Sequence, residues 1–340
     1  MAQIADPRRI AELPRPADRR TAIAVGALLV AVALVVSVGD PGRFAWVRTF
    51  FVIFGSLLIQ ALPFVMLGAL AAALVEVFVP IGTFEKLAAL PRPLQLPAAA
   101  LAGIAFPICE CGSVPVARRL MQRGLMPSAA VTFMLAAPVL NPVVIASTFV
   151  AFRGRTTLWT MVGGRFLLGM VVAIAVGWVI GNRSKDELLK PNPEEAHEHL
   201  LELGRPEARW RRFFVHLGND FLFMGRFLLL GATIAAAIQT FLPTSVLTGL
   251  AERPVVSVLA MMGLAAALSL CSESDAFVAA SFVQFGPSAM LGFLVFGPMV
   301  DLKLVALYAG TFRRGFTRTV VLVAAAATLV GALWVGVAFG

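Results

Sequence analysis

The chain has 340 residues, of which 59% are hydrophobic and only 14% charged. A soluble domain carries about a quarter charged residues. With uncharged stretches that reach the roughly 20 residues needed to span a bilayer, this composition excludes a soluble globular protein, and a membrane barrel would instead alternate over segments of about ten residues. The net charge of +9 comes mostly from arginines flanking apolar runs, a topology signal rather than a nucleic-acid footprint, and three cysteines are too few for a disulfide framework.

Residues 1–20 carry Arg8, Arg9, Arg15, Arg19 and Arg20 ahead of the apolar run Thr21–Val38. That run is long for a signal-peptide core and no small-residue cleavage site follows it, so an uncleaved first helix is expected, ended by Gly39-Asp40-Pro41-Gly42. Thr49–Val75 is the next span, interrupted at Gln60 and Pro63. After the connector 80–93, Leu94–Cys109 and Ser113–Gly124 are each too short to cross at about 1.5 Å per residue. Together they predict a re-entrant hairpin with Cys109–Gly112 at its tip.

Leu125–Phe152 is a span broken at Pro138-Val139-Leu140-Asn141-Pro142, because two prolines free carbonyls and bend a helix. Thr156–Gly181 follows, holding Arg165. Residues 182–212 are polar and form the natural boundary between halves. Within them His197 and His199 read as a solvated stretch, and His216 beyond it as interfacial. Phe213–Leu242 is the next span. Pro254–Cys271 with Glu273–Phe285 predicts a second hairpin, Pro287–Phe312 a span broken near Pro298, and Thr319–Gly340 the last span.

The second half echoes the first. Gly55, Phe64, Gly68, Phe78 and Pro80 recur 163 residues later as Gly218, Phe227, Gly231, Phe241 and Pro243. Cys109 recurs as Cys271, Pro127-Ser128-Ala129 as Pro287-Ser288-Ala289, Pro138 as Pro298, Asn141 as Asp301 and Arg153 as Arg313. The expectation is an all-α polytopic membrane protein with inverted structural repeats, two re-entrant hairpins and broken helices. Its segments are 1–45 (N-terminal segment and first helix), 46–181 (first repeat), 182–212 (cytoplasmic loop) and 213–340 (second repeat). Seven crossings with a cytoplasmic N-terminus place the 80–93 connector, Arg118–Arg123, the central loop and Arg313–Arg318 on the positive, inner side. Three crossings per repeat make the two inverted, a known transporter plan.

All three cysteines fall in the two matching tips, Cys109-Glu110-Cys111-Gly112-Ser113 and Cys271-Ser272-Glu273-Ser274-Asp275. Each tip starts a helix, whose unpaired N–H groups favour electron-rich ligands. Pro115 suits a first turn, and Ser272 with Asp275 has capping-box spacing. Thiolates bind soft ions, so Cys109, Cys111 and Cys271 are candidate metal or metalloid ligands, although a buried cysteine also serves as a small packing residue. Glu110, Glu273, Asp275, Asp301 and Lys303 sit where charge costs roughly 2.5–3.5 kcal/mol, which points to pairing, water or proton traffic. Asn141 and Asp301 occupy equivalent breaks and are expected to face one cavity. No nucleotide-binding motif occurs, and nothing calls for a cofactor or an enzyme.

The stretch Pro107-Ile108-Cys109-Glu110-Cys111-Gly112-Ser113-Val114-Pro115, followed by Ala136-Ala137-Pro138-Val139-Leu140-Asn141-Pro142, resembles the ArsP/YraQ-like predicted permeases from the second predicted helix onward. The resemblance implies a bacterial inner-membrane protein, with Cys109, Cys111, Gly112 and Pro115 on the substrate path. The ArsP branch is associated with efflux of trivalent organoarsenicals; the Asn141-Pro142 form is closer to the YraQ-like branch. The reading is a secondary transporter for a small thiophilic or anionic solute, with proton coupling as an option. Its partners are the lipid bilayer and that solute, with no nucleic acid and room for a homo-oligomer. The alternatives are a membrane thiol oxidoreductase or electron carrier, and a membrane subunit of a larger assembly.

Overall fold

The computed structural model describes residues 45–78, 91–105, 108–181, 183–190, 209–241 and 253–339. Of its two units, the one formed by 1–49 and 191–208 lies almost wholly outside these residues. The expected first helix, most of the 80–93 connector, and His197 and His199 lie outside them too. The remaining described residues belong to the unit formed by 50–190 and 209–340.

The elements are α1 (Ala45–Phe78), α2 (Arg92–Ala105), α3 (Glu110–Gln122), α4 (Pro127–Leu140), α5 (Pro142–Ala151), α6 (Leu158–Ile180) and the single turn α7 (Lys185–Leu188). They continue with α8 (Arg209–Phe241), α9 (Pro254–Leu268), α10 (Asp275–Ser281), α11 (Pro287–Phe296), α12 (Leu302–Thr311) and α13 (Arg314–Phe339). Among the described residues the only extended pairing is one antiparallel bridge, Leu189 with Phe312. Five stretches are long and apolar enough to cross a bilayer: Trp46–Leu74, Pro127–Ala151, Leu158–Ile180, Phe213–Thr240 and Arg314–Ala338. In hydrocarbon every backbone polar group needs an internal partner, which selects helices. The outward faces carry Ile59, Leu222, Val330 and Trp334 largely in the open, as lipid contact demands. The protein is an all-α, multi-pass membrane protein.

The centre of the first half is α4, buried from Ser128 to Leu140, with α2, α3 and α6 packed around it. In the second half α11 holds that place, flanked by α9, α10 and α13. Gly103 of α2 abuts the Ala136–Ala137 backbone near the C-terminal ends of α2 and α4. Gly297, just past α11, meets Ala265 of α9 at the corresponding place, and Gly292 of α11 meets Val258 and Met262. The halves meet through α6 on α13, α3 on α12, and α10 on α5. Gly68 of α1 is so close to α3 that a Cβ would fall 2.2 Å from the Gly112 Cα; at Gly231 of α8 a Cβ would fall 2.6 Å from the Lys303 Cα.

Four local expectations are corrected. The helix α1 runs unbroken through Pro63, and Gln60 donates within it to Ser56 at 2.9 Å. Lipid offers a loosened backbone no alternative partner, so the helix persists. The helix α3 begins at Glu110, three residues before the expected Ser113, with Cys109 as N-cap. Pro115 is therefore its sixth residue, not its first turn, and has no N–H to give the Cys111 carbonyl. Ser272 does not cap α10: Ser274 holds that position, without a side-chain cap bond. Arg118 and Arg119, expected on the inner side, are buried.

Candidate functional site

The start of α3 is held by backbone and glycine. Ser113 N donates to Cys109 O at 3.0 Å and its hydroxyl to Glu110 O at 3.0 Å. Gly112 has no side chain, so α1 can lie against it at Gly68. The α9–α10 connection is made by Ser269, the one described non-glycine residue at positive φ (48°). Its strained conformation is bonded on several sides, since its N–H reaches Ala265 O and its hydroxyl both donates to Ala266 O and accepts from Leu302 N. Such a conformation persists where its surroundings over-determine it. Gln239 of α8 donates to the Leu268 carbonyl at 2.8 Å, closing the end of α9. Ser274 N and Asp275 N both donate to Cys271 O.

The breaks are capped alike. Asn141 Oδ1 accepts from Val143 N at 2.9 Å and starts α5. Asp301 Oδ1 accepts from Leu304 N at 2.6 Å and starts α12. Both are fully buried. The caps are equivalent, but no bond joins Asn141 to the cluster around Asp301.

Two buried ties cross between the halves at these helix starts. In the first, Ser272 Oγ donates to Glu110 Oε2 at 3.1 Å, and Lys303 Nζ lies 3.7 Å from Glu110 Oε1 and 3.6 Å from Asp301 Oδ2. Those last distances are ion-pair contacts, longer than hydrogen bonds. Lys303 Nζ, Glu110 Oε1 and Asp301 Oδ2 are accordingly buried atoms with no hydrogen-bond partner. The charge of Lys303 is also felt by Cys111 and Cys271. In the second tie, Arg165 of α6 grips Asp275 with two bonds of 2.8 and 2.7 Å. It also donates to Ser272 O at 3.2 Å and to Thr148 Oγ1 of α5 at 3.0 Å. Bidentate guanidinium–carboxylate pairing is the strong, geometrically fixed kind. The second tie is closed by hydrogen bonds at both terminal nitrogens of Arg165, with only its Nε unpartnered; the first is loose.

Of the residues expected from the sequence, Glu110, Ser272, Asp301 and Lys303 come together, with Asp275 one step away through Arg165. Glu273 is partly buried, within electrostatic range of Glu110, Arg165 and Lys303, and its Oε2 has no partner. Cys109, Cys111 and Cys271 are all free and buried, and the first two are within hydrogen-bonding reach of each other. Among the described residues no group of three or more His, Cys, Asp or Glu is arranged to hold a metal ion, which counts against Cys109, Cys111 and Cys271 as a ready-made metal centre. A tip with two thiols on one helix start presents them to a ligand pairwise, not as a closed set.

Arg165 is a site residue that the sequence pattern did not single out. It is the only charged side chain in Leu158–Ile180 and is completely buried; a lone charge in an apolar span was the available signal. A further polar cluster also escaped the sequence pattern: Arg119 donates to Asp220 at 3.3 and 3.1 Å, and His216 Nδ1 lies 3.4 Å from the same guanidinium. His216, near the start of the span Phe213–Thr240, is buried among helices.

A relative in Bacillus subtilis (strain 168), UPF0718 protein YcgR, is 38% identical over 285 residues, which cover 83% of this chain and 95% of that one. A relative in Streptococcus mutans, described as a putative two-component membrane permease complex subunit, is 33% identical over 267 residues, covering 78% of this chain and 87% of its own. No solved structure matches the chain. The family model described as "Predicted permease" (ArsP_1) matches residues 47–336, from α1 to the last turns of α13. The chain belongs to this predicted permease family.

Proposed function

We propose that this membrane permease is a secondary transporter whose substrate path runs between the starts of α3 and α10. In this reading it moves a small thiophilic solute, such as a trivalent organoarsenical, out across the bacterial inner membrane in exchange for protons. The carrying observation is the loose tie of Glu110, Asp301 and Lys303, where buried charged atoms face one another at 3.6–3.7 Å without hydrogen bonds. Around it stand four carboxylates, Glu110, Glu273, Asp275 and Asp301, against two cations, Arg165 and Lys303. A buried excess of carboxylate disfavours an anionic solute and calls for protons or a positive cargo. Cys109 and Cys111 on one helix start, with Cys271 opposite, offer the soft sulfur such a solute prefers.

In this reading residues 46–181 and 213–340 are two repeats of opposite orientation, joined by the loop 182–212, with the N-terminus in the cytoplasm. Each repeat supplies a re-entrant hairpin (α2–α3, α9–α10) and a broken helix (α4–α5, α11–α12). The recurring neighbours support it: α2 on α4 as α9 on α11, and α3 on α12 as α10 on α5. Gly112, Ser113 and Pro115 shape the start of α3, while Asn141 and Asp301 hold the breaks open. Arg165 with Asp275 is the fixed hinge of the second tip, and Glu110 with Lys303 is the tie that opens.

The test is flux of phenylarsonous acid in liposomes holding the purified protein alone. An imposed pH gradient is expected to speed wild-type flux roughly tenfold and leave Glu110→Gln unaffected, while Glu187→Gln behaves as wild type. Equal responses from Glu110→Gln and wild type would remove Glu110 from coupling. The name of the Streptococcus mutans relative favours a second reading, in which the chain is one subunit of a permease complex. Absence of flux from the purified chain, with flux restored by a partner, would establish that reading instead.

A further inference from the structure

We propose that the α12–α13 corner is a binding site for the phosphate of an anionic phospholipid. A groove of about 330 Å³ lies there, lined by Ala309, Arg314, Thr317, Arg318, Val321 and Leu322. It sits at the end of the span Arg314–Ala338, the level at which headgroups begin. Its lining has two parts in the order a lipid needs. Arg314 and Arg318, exposed and one helical turn apart, flank a groove whose own surface is almost wholly apolar; Val321 and Leu322 continue the groove toward the middle of the span, where a lipid's acyl chain lies.

Three observations favour an anion at the mouth. Neither Arg314 nor Arg318 has a carboxylate partner among the described residues, and residues 302–340 contain no Asp or Glu. The corner is the start of a long helix: Phe316 N and Thr317 N already bond to Arg313 O, which leaves the N–H groups of Arg314 and Gly315 as the open donors of a first turn. A further cation stands close by, since Lys190 Nζ donates to the carbonyl of Ala309, itself a lining residue. Bidentate and point-charge donors around a phosphodiester, with apolar surface for the chain below, is the arrangement by which basic corners of membrane proteins hold anionic lipid. Free phosphate would use the same donors but leave the apolar half of the groove empty.

Native mass spectrometry of the full chain, released from detergent with phosphatidylglycerol or phosphatidylcholine added, tests this. Wild type is expected to keep phosphatidylglycerol roughly tenfold more readily than phosphatidylcholine. Arg314→Gln/Arg318→Gln should lose that preference. Arg314→Lys/Arg318→Lys should keep most of it, and Arg153→Gln/Arg253→Gln, with the same loss of charge elsewhere, should keep all of it. Equal retention of the two lipids by wild type, or an unchanged preference in the Arg314→Gln/Arg318→Gln protein, would overturn the site. So would thermal stabilisation by inorganic phosphate equal to that by phosphatidylglycerol, which would make it a site for free anions.

Discussion

Arg165 and Asp275 are each nearly inaccessible to solvent, and their pairing joins α6 of one half to the tip of the other. Breaking a buried pair from one side strands a charge and costs about 3–5 kcal/mol, whereas replacing both partners with apolar groups is far milder. Arg165→Met and Asp275→Leu should therefore each lower the melting temperature in detergent strongly, and the double variant should be more stable than either single. Additive losses in the double would show that the two act independently. The acids were legible in the sequence because they stood within or beside apolar runs. Their partners were not, since nothing in the order of residues says that Asp275 meets a guanidinium 110 positions earlier while Glu110 meets Lys303. The same blindness affected Arg118 and Arg119: a basic residue near the end of a short helix reads alike whether it faces water, donates to distant carbonyls as Arg118 does, or pairs with Asp220 as Arg119 does.

Among the elements, glycine spacing is the best guide to which helices touch. Gly55 and Gly68 recur as Gly218 and Gly231, and their surroundings recur as well. A Cβ at Gly55 or Gly218 meets nothing within 4 Å, while at Gly68 or Gly231 it strikes the backbone of Gly112 or Lys303. Gly55→Ala should stabilise the chain by up to about 1 kcal/mol through helix propensity. Gly68→Ala should cost roughly 1–3 kcal/mol, because α1 and α3 must separate; thermal unfolding of the two variants compares them. A Gly68→Ala protein as stable as Gly55→Ala would mean that α1 does not press on the start of α3. The breaks at Asn141 and Asp301 were legible through a nearby proline and a capping side chain. The start of α3 was misplaced because Cys109 is no habitual cap and Pro115 imitated a first-turn proline. The length of α10, which spans only Asp275–Ser281, was overestimated because apolar residues beyond a helix end look no different from those inside it.

At the scale of the whole molecule, one buried arginine brings three distant segments to a common face. Arg118 donates to Lys190 O at 3.1 Å and Thr311 O at 3.4 Å. Arg313 N donates to Leu188 O and Lys190 N to Thr311 O, on either side of the Leu189–Phe312 bridge. The far end of α3, the segment after α6 and the α12–α13 corner therefore share one side of the membrane. That side carries Lys185, Lys190, Arg313, Arg314 and Arg318, and the proposed orientation makes it the cytoplasmic one. The α5–α6 turn, one full span away along Leu158–Ile180, belongs to the other side. Cysteines introduced at Asp186 and at Gly315 should react with an impermeant maleimide only when the inner face is open, and one at Thr156 only from outside. The three native thiols are buried and add little background. Gly315 suits a probe because a side chain there meets open space. If Asp186 and Gly315 labelled from opposite sides, the Arg118 clamp could not exist in the membrane, and the two-hairpin topology would fall with it. If both labelled from outside, the clamp would stand and the orientation alone would reverse, with efflux reversed along with it.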